Sequence, residues 1–462
     1  MDKKKIGLVL AIIVLFITVS TPPQFGLTEL GYKTLGILLI GLFLWILESM
    51  PLAVTALLVI ILQPILGVSS LGEALSNFAN PVTFFVLASF AISAAIVKTP
   101  LAHRLIKRLL YLSKNNSKKI ILSFMIGTMV ISSIMSNVSA TALSMGLALG
   151  ILAKMEPGDN KMRFGKVIMI AIPFAGMIGG LITPAASSIN VITLNMMKEL
   201  AGYQVSFLEW ILYGFPIAVI LLPSCWYVLI KLFKPQNIDQ AVIDGFIKSE
   251  DVPEKMDKQE IKVAIIILTV MILWITGSWV PALDLTIVAL GGMICFFLPG
   301  VDVLNWKEFS ENVSWNAVIM IGGVISIGSA TIKAELGQWF LSLFVDKLVQ
   351  MPLFVLLIVM GIFLVLIKLL IPIGPAIITI TAVPLYGLAT IMNIPVEILF
   401  LPMAFVTIAC LLVPLAAVPL ITYSQGYYSM RDMFISGLIT SLIWVVLTAV
   451  WVPFVGKMLG VL

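Results

Sequence analysis

Hydrophobic residues in this chain neither alternate nor recur on one helical face. They come as long unbroken runs separated by short polar connections. A segment that is apolar all round predicts a helix with a nonpolar environment on every side, and a length of roughly 20 residues matches the hydrocarbon thickness of a bilayer. The pattern predicts eleven spans, at about 6–20, 34–50, 52–67, 82–97, 167–197, 208–230, 263–279, 281–299, 315–331, 399–430 and 434–456. Two further apolar segments, 120–153 and 352–391, carry mid-segment residues that a helix in lipid avoids. The first holds Ser136-Asn137-Val138-Ser139-Ala140-Thr141, and the second holds Ile371-Pro372-Ile373-Gly374-Pro375. Non-helical backbone at membrane depth persists only where protein or a water-filled cavity satisfies it, so both segments read as re-entrant hairpins. Paired interruptions of this kind point to the binding site of a transporter.

Charge sets the orientation. Lys98, Arg104, Lys107, Arg108, Lys114, Lys118 and Lys119 precede the first hairpin, and Lys154, Lys161, Arg163 and Lys166 follow it. Both flanks belong on the cytoplasmic side, so the segment enters and returns on one side. With a cytoplasmic N-terminus, every one of the 28 Lys and Arg residues falls inside except Lys33, Lys198, Lys333, Lys347, Lys368 and Lys457. The reading is an integral cell-membrane protein with its C-terminus outside and its second hairpin entering from outside. Two true spans in place of each hairpin form the alternative topology.

Composition agrees with the pattern. Hydrophobic residues make up 60% of the chain and charged residues 11%, and the mean hydropathy is +1.13. The fold class is all-α and polytopic. Cys225, Cys295 and Cys410 stand singly in apolar stretches, and the lone His103 sits beside Arg104, so zinc and nucleophile-base chemistry lack the residues they need. No enzyme activity and no nucleic-acid partner is expected. Lys3, Lys4 and Lys5 before an apolar run resemble a signal peptide, but without a convincing cleavage site the run reads as the first span.

The hydrophilic connection 231–262 divides the chain into 1–230 and 263–462. The halves match weakly at an offset of about 235: Glu73 with Glu308, Asn77 with Asn312, Lys98 with Lys333. Each half presents an interrupted hairpin and then a span broken at proline, Pro184 or Pro414. An odd number of crossings separates the equivalents, so the repeats are inverted in the membrane.

At the first tip, Ser136, Asn137, Ser139 and Thr141 put hydroxyls and an amide at the break. Free N–H groups at the start of a half-helix suit an anion, while unwound carbonyls and the Asn oxygen suit sodium. The broken span adds Gly179-Gly180, Thr183-Pro184, Ser187-Ser188 and Asn190. Packing alone would account for the glycines but not for the polar residues.

The Ser136-Asn137 hairpin, the Gly179-Gly180…Thr183-Pro184…Ser187…Asn190 break and the Trp315…Gly322-Gly323 span resemble the divalent anion/sodium symporters, the INDY-like carboxylate transporters. The resemblance implies a homodimer in which a transport domain moves elevator-fashion against a scaffold domain, and citrate-cycle di- or tricarboxylates as substrates. It implies substrate contacts at Ser136, Asn137, Val138, Thr141, Thr183, Pro184, Ser187, Ile373, Gly374, Pro375 and Pro414. It also implies a sodium site at Ser132, Ser136, Asn137, Ala186 and Asn190. This chain departs from the family pattern in three places. Val138 stands where the family has Thr, the second tip lacks Ser-Asn-Thr, and Leu420 stands where an Asn is expected.

Beside the altered tip, Lys368 interrupts an apolar run. A charge in a membrane segment is a functional candidate, although snorkelling to an interface is the plainer alternative. The expectation is that Lys368 supplies a fixed positive charge in place of a second sodium, favouring dicarboxylate exchange. A sodium-coupled symporter and an anion channel are the other readings. The basic segment 98–119 is expected to form amphipathic arms, with membrane lipid as a partner. The size of the acid is open, and sulfate is not excluded.

Overall fold

The computed structural model describes residues 3–113, 116–203, 205–249, 253, 255–342, 345–371 and 373–462. All its regular structure is helical, and no strand occurs among the described residues. The first part contains α1 (Lys3–Ser20), α2 (Glu29–Ile46), α3 (Leu52–Ile65), α4 (Leu71–Ser76), α5 (Pro81–Lys98), α6 (Leu101–Tyr111), α7 (Ser117–Ser132), α8 (Asn137–Lys154), α9 (Asp159–Gly179), α10 (Ser188–Ala201) and α11 (Phe207–Phe233). A connecting helix, α12 (Gln240–Ser249), follows. The second part contains α13 (Lys258–Thr276), α14 (Leu285–Phe297), α15 (Trp306–Asn312), α16 (Trp315–Lys333), α17 (Leu336–Ser342), α18 (Val345–Val349), α19 (Leu353–Leu370), α20 (Gly374–Met392), α21 (Glu397–Ile408), α22 (Ala417–Tyr423) and α23 (Met430–Met458). Among the described residues, ten helical stretches are long and apolar enough to cross a membrane, and α3, α14 and α21 are shorter apolar helices.

Several helix starts carry their own caps. Capping boxes open α11 (Ser206 with Glu209), α13 (Asp257 with Glu260), α15 (Asn305 with Glu308) and α23 (Ser429 with Asp432), satisfying amides that have no intrahelical partner. Helix α8 opens differently. Its N-cap, Ser136, makes no side-chain bond to the first turn, and neither does Ile373 at the start of α20.

The interrupted segments form helix–break–helix pairs, α7–α8 and α19–α20. In the first, the break falls at 133–136, and helix has resumed at Asn137. The expectation of an unwound stretch through Thr141 is therefore corrected. Val138, Ser139 and Thr141 are weak helix formers, so packing of α8 against α7 and α9 carries its first turn, and only the four positions before Asn137 are non-helical. In the second pair, helix stops at Leu370 and restarts at Gly374, and Pro372 lies outside the described residues. The pairs pack differently. α7 and α8 lie against each other and against α9, whereas α19 and α20 both pack on α21.

The Pro184 and Pro414 spans are broken as expected, but their bounds shift. The first runs as α9, a break at 180–187 and α10. The second runs as α21, a break at 409–416 and α22, and helix ends at Tyr423 instead of continuing to 430. Each break is pressed by a glycine on the last long helix of its own half. A Cβ at Gly214 of α11 would overlap the carbonyl of Leu181, and a Cβ at Gly437 of α23 would overlap the carbonyl of Leu411. Lys98 Nζ meets Glu308 at 2.6 Å and Lys333 Nζ meets Glu73 at 2.8 Å, a reciprocal couple between the halves, which Lys166 and Asp432 also bridge at 2.9 Å.

Candidate functional site

The first tip and the first break are sewn together. Ser132 Oγ lies 2.8 Å from Asn137 Oδ1 and 2.7 Å from the Gly176 carbonyl, and its single proton serves one of them at a time. Thr183 donates its hydroxyl to the Ser133 carbonyl at 2.6 Å, so the break on one span secures a carbonyl freed at the hairpin tip. Asn190 Nδ2 donates to the carbonyls of Gly180 (2.8 Å) and Thr183 (2.9 Å), and thereby holds the break open in one shape. The Ser136 amide donates to Ser93 Oγ on α5 at 3.2 Å. Ser187 caps α10 by accepting from the Ile189 amide.

Glycines permit this approach. A Cβ at Gly180 would stand 2.6 Å from Asn137 Nδ2, one at Gly179 would strike the Met129 carbonyl, and one at Gly176 would stand 2.6 Å from Thr141 Oγ1. Asn190 Oδ1 and Thr141 Oγ1 are buried acceptors with no hydrogen-bond partner, and such groups call for a cation, a water or a donor. Asn137 is 8% exposed and Val138 37%, so the first turn of α8 turns its amide side chain inward and a methyl-bearing side chain outward. Thr141, one turn on, is fully buried against α9, away from the exposed face of the tip.

The second tip is apolar and close. A Cβ at Gly374 would overlap Ile189, which brings the start of α20 against the residues just after the first break. Ile373, Gly374, Pro375 and Pro414 are all buried. Thr407, at the end of α21, contributes another buried hydroxyl without a partner, with its methyl facing Gly374. The Cys410 amide donates to Met177 Sδ at 3.2 Å, linking the second break to the end of α9.

Lys368 does not reach an interface. It is 5% exposed and lines a cavity of about 10 Å³ formed with Ala409, Cys410, Leu411, Leu412, Val413 and Ser441. That is room for one water molecule. Among the described residues it has no carboxylate and no hydrogen-bond partner.

Ser132, Asn137, Thr183 and Asn190 therefore converge around the first break, with Ser136, Pro184, Ala186 and Ser187 in the segments they hold. Lys368 belongs to the second break and is not joined to them by any direct bond. Ser93, Gly176, Thr407, Met177 and Ser441 escaped the sequence reading. Each lies in an apolar run that the chain pattern does not mark as a site.

This arrangement is that of a membrane carrier: two broken helices and two hairpin tips meet inside one helical body. The family model described as the sodium:sulfate symporter transmembrane region matches residues 2–462, and the chain belongs to this family of divalent anion/sodium symporters. A relative called sodium-dependent dicarboxylate transporter SdcS, from Staphylococcus saprophyticus, is 26% identical over 72% of this chain and 69% of its own length. The protein of the same name from Staphylococcus aureus is 26% identical over 72% of this chain and 68% of its own. A Cupriavidus necator membrane protein is likewise 26% identical, over 72% of this chain and 68% of its own. The crystal structure of the Alcanivorax borkumensis YdaH transporter, described as having an unusual topology, shares the fold with a TM-score of 0.55 at 14% identity, covering 98% of this chain and 99% of that one.

Proposed function

We propose that this protein is a secondary active carrier of citrate-cycle di- or tricarboxylates, and that its preferred mode is exchange of one dicarboxylate for another. Substrate carboxylate binds at the uncapped start of α8, where the first-turn amides and the Ser136 and Asn137 side chains offer donors, with the start of α20 opposite. The names of the staphylococcal relatives support the substrate class. The two halves are inverted repeats, as the matching element order supports. The hairpins and broken spans form a transport domain that moves elevator-fashion against a scaffold, and the protein works as a homodimer with its N-terminus cytoplasmic.

The exchange mode rests on Lys368. A lysine buried at the second break is a cation that stays when substrate leaves. The empty site then remains charged, and moving it through an apolar environment is costly, so reorientation is favoured only with an anion bound. Sodium-coupled symport is the second reading. It is favoured by the orphaned Asn190 Oδ1 at the first break, which suits a sodium ion, and by the relatives' description as sodium-dependent.

Proteoliposomes loaded with unlabelled succinate test the proposal. Counterflow of labelled succinate is expected to persist in sodium-free buffer and to fall at least tenfold in Lys368→Ala. Strict sodium dependence of net uptake would replace exchange with symport. Thermal stabilisation by sulfate but by none of succinate, 2-oxoglutarate and citrate would overturn the substrate class.

A further inference from the structure

We propose that the surface where α6 ends, α7 begins and α11 ends is a binding site for the headgroup of an anionic phospholipid. Helix α6 buries Ala102, Ile106 and Leu110 on one face, with Ile106 lying where a Cβ on Gly127 of α7 would stand. Its end is tied to α7 by the Ser113–Ser123 hydroxyl contact at 2.7 Å, and Trp226 of α11 donates to the Lys118 carbonyl at 2.8 Å. These bonds gather Arg108, Lys118, Lys119 and Lys231, all exposed, into one region. None of the four has a carboxylate partner among the described residues.

The same region exposes Tyr111 (63%), Leu112 (75%) and Tyr227 (57%), and Lys231 Nζ lies 5.7 Å from the centre of the Tyr227 ring. Cations interleaved with exposed aromatic and aliphatic groups, at the ends of membrane-crossing helices, match the boundary between headgroup and acyl chain. A soluble anion would use the cations alone. A phospholipid uses both, its phosphodiester on the lysines and arginine and its glycerol and upper chains on Tyr111, Leu112 and Tyr227.

The lipid also completes a clamp. Arg104, one turn into α6, is paired with Glu260 at 2.9 Å and bonds the carbonyls of Pro253 and Lys255. The protein thus fixes the start of α6, and the lipid fixes its end, where the chain enters the first hairpin.

The test uses the purified full-length protein, with lipids retained after exposure to mixed phosphatidylglycerol and phosphatidylcholine counted by native mass spectrometry. Phosphatidylglycerol is expected to be retained preferentially, with affinity falling roughly fivefold for each cation neutralised in Arg108→Gln, Lys119→Gln and the combined variant with Lys118→Gln and Lys231→Gln. Lys33→Gln, outside the region, is expected to retain the preference. Tyr227→Ala and Leu112→Ala are expected to weaken retention without altering charge, a loss that a phosphate-only site would not show. Equal retention of the two lipids, an undiminished preference in the combined variant, or full displacement by inorganic phosphate would overturn the proposal. Thermal unfolding of each variant in phosphatidylcholine establishes that it is folded.

Discussion

Thr183 donates a hydrogen bond from its hydroxyl to the carbonyl of Ser133, at 2.6 Å, so that a polar group freed at the tip of one hairpin is satisfied by the broken middle of the neighbouring span. Both partners are essentially out of contact with solvent. If either break relaxes, the Ser133 carbonyl loses its donor and the Thr183 hydroxyl its acceptor. Thr183→Val keeps the shape and removes the donor, and is expected to cost about 1–3 kcal/mol in unfolding free energy. Thr183→Ser is expected to recover most of it. Denaturant melts in detergent, read by tryptophan fluorescence, measure both.

The glycines of the first break make a sharper test. Gly180→Ala places a methyl group against the Asn137 amide, and Gly179→Ala places one against the Met129 carbonyl. Flexible side-chain atoms can yield and backbone cannot. Gly179→Ala should therefore be the more damaging, within the roughly 1–3 kcal/mol typical of overpacking. Gly180→Ala should fold, yet lose substrate-dependent thermal stabilisation because Asn137 is displaced.

Arg104 and Glu260 provide a buried electrostatic test. Glu260 is sealed from solvent, accepts two bonds from the guanidinium, and also closes the capping box of α13. Removing the arginine leaves a buried carboxylate unpaired, a change worth about 3–5 kcal/mol. Arg104→Gln is expected to approach that cost, while the double change with Glu260→Gln is expected to cost less than the single one. Thermal melts of the three proteins decide it.

The Lys98–Glu308 pair predicts a pH dependence. The hydrogen bond from Lys98, followed by that from the Asn305 amide, holds the Glu308 carboxyl below its ordinary value of 4.5. Because the folded value is the lower one, the pair's contribution is complete above the ordinary value and disappears as pH falls through the lowered one. Both side chains are about one-third exposed, so water screens the pair and the contribution is about 0.2–1 kcal/mol. The difference in Tm between the wild type and Lys98→Gln should shrink below pH 4.5 and be constant above it.

At Lys368 a chemical rescue is informative. Lys368→Gly vacates the stem and its charge, and methylammonium or ethylammonium is expected to restore part of the sodium-free counterflow. Rescue by no alkylammonium would remove the ammonium from the transport step.

Much of the architecture was legible because lipid imposes one rule on every span: backbone polar groups must be met within the helix. Long apolar runs and their breaks therefore stood out, as did both hairpins and both proline-broken spans. The matched residues Glu73, Glu308, Lys98 and Lys333 were visible as pairs of like residues. Their cross-pairing was not, because spacing along a chain carries no information about which half a side chain reaches toward. The first-tip break was misplaced by several residues because Ser, Asn and Thr mark both unwound backbone and the first turn of a helix. Lys368 was visible as a charge. Its burial beside Cys410 and Ser441 depends on how α19 and α23 pack around the second break, which no local pattern encodes.

The reciprocal ion pairs Lys98–Glu308 and Lys333–Glu73 have a consequence for how such a chain can be assembled. The lysine of each half takes the glutamate of the other, which is the reciprocal contact made by two identical subunits related by a twofold axis. Were the halves once separate copies of one half-length protein inserted in opposite orientations, such copies would make both bridges with each other. Joining the copies through a linker that stays on one side would keep the bond pattern and free each copy to change alone. The unequal hairpin tips are what that freedom permits.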